Sequence, residues 1–309
     1  MPRTTHVAAA AAVSFIVFAT WLLGGWSHGD AVATIDDIWL AVLSGTAAVF
    51  AARTARSASG RLRAAWLALT IGLAGWFVGE VVWTYYELVA KQNPFPSLAD
   101  AGFLLLPLGA CAALLLFPDD YSNYSLGRVL LDGLIVAGSL FLVSWVTVLG
   151  PVYESSGDDD RLELIVSLAY PISDVVILTV AAMVLIRAQT HQRLVLTLLT
   201  VGMACIAVAD SAFVYLGTKD SYSSGDTIDL GWAAGFLLLT VAAAAGREDD
   251  SREGDADQLP GWASIWLPYA PLLLAALVAA AEPPGTLNTG PVLVMGGLLV
   301  AAVLGRQFL

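Results

Sequence analysis

Two acids stand where acids are expensive. Glu80, in "GEVVWTYY", and Asp210, in "ADSAFVYL", both fall well inside long apolar runs. An ionised carboxylate at that depth costs about 2.5–3.5 kcal/mol on insertion scales, so such a residue faces a cavity, finds a partner or holds a proton. The two stretches rhyme: superposing Glu80 on Asp210 places Tyr85 on Tyr215. No Lys or Arg lies inside these runs, which leaves the phenols Tyr85, Tyr86 and Tyr215, the indoles Trp76 and Trp83, and the acids themselves as partners. Two carboxyl groups facing each other without a cation share a proton. The chemistry on offer is therefore proton holding or recognition of a cationic or amphipathic ligand on aromatic faces. The competing reading is an interhelical hydrogen bond with no ligand.

A second set of acids opens helices. "TIDDIWLAVLSG" from Thr34, "SLADAGFLLL" from Ser97, "PISDVVILTV" from Pro171 and "DTIDLGWAAG" from Asp226 each bring an acid to the start of an apolar run. Thr34 with Asp37, Ser97 with Asp100 and Asp226 with Asp229 have capping-box spacing, in which an acid three residues after the N-cap meets unpaired N–H groups and the positive helix end. Capping is the expected role of Asp37, Asp100 and Asp229. Pro171 can open a helix but cannot cap it with a side chain, so Asp174 joins Glu80 and Asp210 as a candidate ligand-binding or signal-sensing residue. Tyr85, Tyr215, Trp76 and Trp83 complete that set. All of these side chains fall at one depth, bordering a pocket that opens outward and holds no positive charge.

Other chemistries lack their residues. His6, His28 and His191 lie in loops or at helix ends, so neither a metal nor a haem site is expected. There is no Gly-rich phosphate loop after a strand and no nucleophile–His arrangement. Neither cofactor nor catalytic site is expected in these residues. Cys111 and Cys205 both fall in apolar runs and read as packing residues. No basic stripe is present to hold nucleic acid.

What must position the acids is a membrane bundle. The chain of 309 residues is 58% hydrophobic and 13% charged, with a mean hydropathy of +0.76, outside the range of a soluble domain. A span needs about 20 apolar residues as helix, because lipid offers the backbone no hydrogen bonds. The expectation is an all-α polytopic domain of ten spans. They fall near 7–24, 35–52, 64–88, 98–117, 128–150, 165–187, 194–217, 228–246, 262–281 and 290–309. As helical pairs these read 7–52, 64–117, 128–187, 194–246 and 262–309, and two-helix units make successive copies parallel rather than inverted. "AVA" at Ala31–Ala33 resembles a leader-cleavage site, but removing the first helix would orphan the first pair. Of the 14 Lys and Arg residues, all but Lys91, Arg161 and Lys219 fall on one side. The positive-inside rule puts both termini in the cytoplasm, in the cell's cytoplasmic membrane, with the lipid bilayer as partner. The tryptophans near the outer level also suit an interfacial belt. The net charge of −12 concentrates in "ESSGDDD" and "REDDSREGDADQ", which read as solvated loops.

The stretches "PFPSLADAGFLLLPLGA", "LLDGLIVAGSLFLVSWVTV", "LAYPISDVVILTV", "DTIDLGWAAGFLLL" and "GRQFL" together resemble the multi-helix N-terminal membrane region of actinobacterial signalling proteins. In these a membrane region precedes PAS, GGDEF or EAL domains that detect signals or make and break cyclic di-GMP. The resemblance covers most of the chain and implies an input module; none of its motifs is catalytic, and no GGDEF or EAL sequence is present. Separately, the last apolar run from Pro291 stops just after Arg306, flush with the membrane, and is expected to continue as a cytoplasmic helix. The expected function is a sensory or regulatory module that passes an external or membrane signal, carried by an unknown small ligand, to an output domain. Two alternatives stand beside it: a small-solute or proton-coupled transporter, and an anchor or homodimerisation scaffold using small residues such as "GLLVAAVLG" from Gly297.

Overall fold

The computed structural model of the chain describes residues 3–27, 29–92, 94–117, 126–155, 161–217, 219, 221–249, 267–283 and 286–308. Every regular element among them is helical, and nine helices are long and apolar enough to cross a membrane. The chain is an all-α, multi-pass membrane protein. Where a span near 262–281 is expected, the described helix is the shorter Ala270–Ala281, and residues 261–266 lie outside the described set.

The helices are α1 (Arg3–Gly24), α2 (Asp30–Ser57), α3 (Gly60–Thr84), α4 (Leu98–Phe103), α5 (Leu105–Leu116), α6 (Leu126–Ser144), α7 (Gly150–Ser155), α8 (Arg161–Ile186), α9 (Arg193–Gly217), α10 (Asp229–Asp249), α11 (Ala270–Ala281) and α12 (Gly290–Gln307). A wide π-helical segment, Tyr85–Ala90, continues α3, and another, Trp145–Leu149, joins α6 to α7. One break separates α4 from α5 at Leu104. Pro107 accounts for it: proline has no N–H to offer the Phe103 carbonyl, and its ring crowds that turn.

Packing closes a ring. α2 lies on α3, α3 on α4 and α5, α5 on α8, α8 on α9, α9 on α10, and α10 returns to α2. α1 covers α10, while α6 lies outside α8 and carries α11 and α12. Two seams of small residues draw the ring tight. A Cβ on Gly102 of α4 would meet Gly75 O at 2.7 Å and Gly79 N at 2.8 Å, and one on Gly235 of α10 would meet Gly202 O of α9 at 2.9 Å. Only glycine permits such backbone approach. By contrast, among the described residues a Cβ on Gly296 or Gly297 of α12 would meet nothing within 4 Å, while one on Gly305, at the end of the same stretch, would meet Leu131 of α6 at 3.6 Å.

One face of the bundle gathers the Arg-bearing helix ends. Arg61 of α3 donates to Leu115 O at 3.3 Å, the Trp66 and Phe117 rings meet edge-on at 5.8 Å, and Thr4 N donates to Glu248 at 2.9 Å. α12 runs antiparallel to α6 and ends on this face, where Arg306 pairs with Asp132. Both residues of that pair are buried. An arginine expected only to mark a membrane exit is instead the partner of a carboxylate on another helix.

Two helix starts differ from expectation. α2 begins at Asp30 after Gly29, whose φ of 62° ends the preceding loop. Asp37 therefore lies about two turns inside the helix and caps nothing, and the Thr34 hydroxyl donates to Asp30 O instead. α8 begins at Arg161, so Pro171 is an interior proline rather than an opening one, tolerated where neighbouring helices bury it. Asp100 does close a capping box: Ser97 N donates to its Oδ2 at 2.6 Å, and Ser97 Oγ accepts from Ala99 N at 3.1 Å. Asp229, the first residue of α10, accepts from Gly225 N at 2.8 Å.

Candidate functional site: an acid-lined cavity

The small-residue seams decide which side chains share a level. Gly79 packs so closely on α4 that a Cβ there would meet Ala99 O at 2.9 Å, and Glu80 and Asp100 arrive at the same height. Around the ring, Asp36 and Asp37 come from α2, Asp174 from α8, Asp210 from α9 and Asp229 from α10. All seven acids are at most 6% exposed. Six of these seven are near or on a cavity of about 50 Å³; Asp36, Asp37, Glu80, Asp100 and Asp210 line it directly, and Asp229 is reached through Asp36. Asp174 stands behind this wall, within electrostatic reach of Asp210.

Neutral donors hold these acids. Trp76 Nε1 donates to Glu80 Oε1 at 2.8 Å, one helical turn away, and Trp232 Nε1 donates to Asp210 Oδ1 at 2.6 Å from the neighbouring helix. Tyr170 OH donates to Asp100 Oδ1 at 2.7 Å, and Tyr222 OH to Asp229 Oδ1 at 3.3 Å. Burial first, then the Asp229 charge, hold the Tyr222 phenol well above its ordinary pKa, so it remains a donor at neutral pH. Among the described residues the ion pairs are Lys91–Asp30 at the surface and Arg306–Asp132 beside α12. Neither reaches the cavity.

Aromatic rings complete the wall. Trp76 lies 4.9 Å from Phe103, 5.5 Å from Phe236 and 6.4 Å from Trp232, while Phe213 lies 6.0 Å from Trp232. Toward the Arg-bearing face the ring is filled by Leu73, Leu106, Ile206 and Phe236, none more than 1% exposed. Toward the other face Trp83 Nε1 donates to Glu87 Oε2 at 3.1 Å, and Ser224 Oγ donates to the same oxygen at 2.6 Å. Beyond them a wider recess is lined by Asp30, Glu87 and Lys91. The cavity thus lies between this recess and a buried apolar layer.

The structure brings Glu80, Asp210, Trp76 and Trp83 together as candidates, with Asp174 just behind. Tyr85 and Tyr215 do not join them. Tyr85 is 56% exposed and Tyr215 37%, and Tyr215 pairs with Lys219 at the surface. Glu80 and Asp210 both line the cavity, whereas Tyr85 starts the wide segment after α3 and is exposed. The phenols that do serve, Tyr170 and Tyr222, come from α8 and the loop before α10. Asp36 was also missed. Its signal was available: in a helix beginning at Asp30, residues 36, 37, 40 and 44 share one face, and all four are buried.

No protein-family model, curated protein or solved structure matches the chain. The class defined by fold and site is a multi-pass helical membrane protein with a carboxylate- and aromatic-lined cavity enclosed by a ring of helices.

Proposed function

We propose that this domain is a sensory input module of the cytoplasmic membrane, in which occupancy of the acid-lined cavity is passed to α12. One observation carries the reading: the cavity acids are buried without a cationic side chain among the described residues, in a ring whose α8 touches both the cavity and α6, the helix to which Arg306 ties α12. A ligand that changes how α8 packs therefore has a physical route to the last helix. The position of the Arg-bearing ends supports a cytoplasmic placement of both termini. The placement of both Glu80 and Asp210 on the cavity wall supports parallel repeats. The resemblance to the membrane regions of cyclic di-GMP signalling proteins agrees with this role, as binding rather than catalysis. A sensor requires two packings with different affinity for the ligand.

Distance measurement between spin labels at Ser57→Cys and Gln307→Cys tests it in lipid nanodiscs. Substituting Glu80→Gln with Asp210→Asn is expected to shift the distance distribution, because α12 reads the cavity through α8 and α6. An unchanged distribution overturns the coupling and favours a passive anchor. Proton-coupled transport has one supporting observation, the cation-free acids themselves; proton uptake by proteoliposomes abolished by the same substitutions would favour it.

A further inference from the structure

We propose that the cavity is a binding site for a small ammonium-type cation, either ammonium itself or a short primary amine. The role of that cation as a signal rests on the sensor reading above; its occupancy of the site does not.

The first ground is unmet acceptors. Among the described residues Asp36 Oδ1 and Asp37 Oδ2 have no hydrogen-bond partner, although their residues are only 1% and 2% exposed and line the cavity. A buried acceptor left unpaired forfeits its hydration with nothing in return. Trp76, Trp232 and Tyr170 already give their protons to other acids, so these three donors are not left for the two oxygens. Charge points the same way. Seven ionised acids at this depth would together cost more than the whole stability of an ordinary domain, so protons or a bound cation must offset their charge.

Chemistry and size narrow its identity. Among the described residues no group of three His, Cys, Asp or Glu is disposed to hold a metal ion. The wall instead combines carboxylates, whose ionised oxygens only accept hydrogen bonds, with the aromatic side chains of Trp76, Phe103, Phe213 and Trp232. An ammonium group carries several N–H donors and is attracted to aromatic faces, whereas a hard metal ion seeks six or more oxygens. The volume of about 50 Å³ accommodates roughly three water-sized groups. That admits ammonium or an amine with one or two carbons and excludes a quaternary headgroup.

The test is thermal unfolding of the full chain in nanodiscs at fixed pH and ionic strength. Ammonium, methylammonium, tetramethylammonium, sodium, potassium, magnesium and calcium chlorides are each titrated. A saturable rise in melting temperature with ammonium and methylammonium alone is expected, and its loss in D36N/D37N. Equal responses to all salts, a response confined to magnesium or calcium, or no response at all overturns the proposal, the last leaving protons as the compensating charge. Should D36N/D37N fail to fold, the ion series on the native chain decides. Selective ammonium binding without movement of α12 would leave the site standing and defeat the sensor reading instead.

Discussion

Replacing Arg306 with Met should loosen the last helix from the bundle. The guanidinium pairs with Asp132, and the two side chains are only 8% and 10% exposed. Removing one partner of a buried pair leaves an uncompensated charge and costs about 3–5 kcal/mol, whereas replacing both with apolar groups of similar size is often neutral. Arg306→Met is therefore expected to destabilise by about 3–5 kcal/mol. Asp132→Leu should cost somewhat less, because the guanidinium keeps the Tyr269 ring, 5.4 Å from its carbon, and such a contact contributes about 0.5–2 kcal/mol. The double variant should recover most of the loss. Unfolding in mixed detergent–SDS micelles, followed as a double-mutant cycle, gives the coupling directly. Additive losses, or an Arg306→Met cost below about 1 kcal/mol, the range of exposed pairs, would refute the idea that this pair clamps α12 to α6.

The same unfolding assay separates cavity phenols from bystanders. Tyr170→Phe removes the donor to Asp100 and should cost about 1–3 kcal/mol, while Tyr85→Phe, at an exposed position, should cost nothing measurable. Gly102→Ala pushes a methyl into the α3 backbone and should cost at least about 1–3 kcal/mol. Gly297→Ala, with open space around it, should be silent; a loss there would reveal a helix contact between copies of the chain. Topology is checked by labelling Ser57→Cys and Lys91→Cys with a membrane-impermeant thiol reagent in intact cells. Only Lys91→Cys should react, and labelling of Ser57→Cys instead would invert the orientation.

The sequence by itself determined the class of this protein, because lipid forces one solution on an apolar chain: helices that bond their own backbone. Segments such as 64–88 and 194–217 are legible for that reason, as is the oddity of Glu80 and Asp210, since a charged group in hydrocarbon is conspicuous wherever the chain goes. Capping at Asp100 could be read too, because Ser97 and Asp100 interact locally. Tertiary structure decided what local spacing cannot carry. Asp37 resembled a cap until α2 began two turns earlier at Asp30, and Asp36 entered the cavity through that same shift of register. Tyr170 reached Asp100 across 70 positions of sequence, and Arg306 reached Asp132 across 174. Which phenol meets which acid depends on how closely α3 and α4 approach at Gly79 and Gly102, and on how the ring closes from α10 to α2. Such contacts are properties of packed surfaces, and only the closed ring turns a scatter of acids into one site.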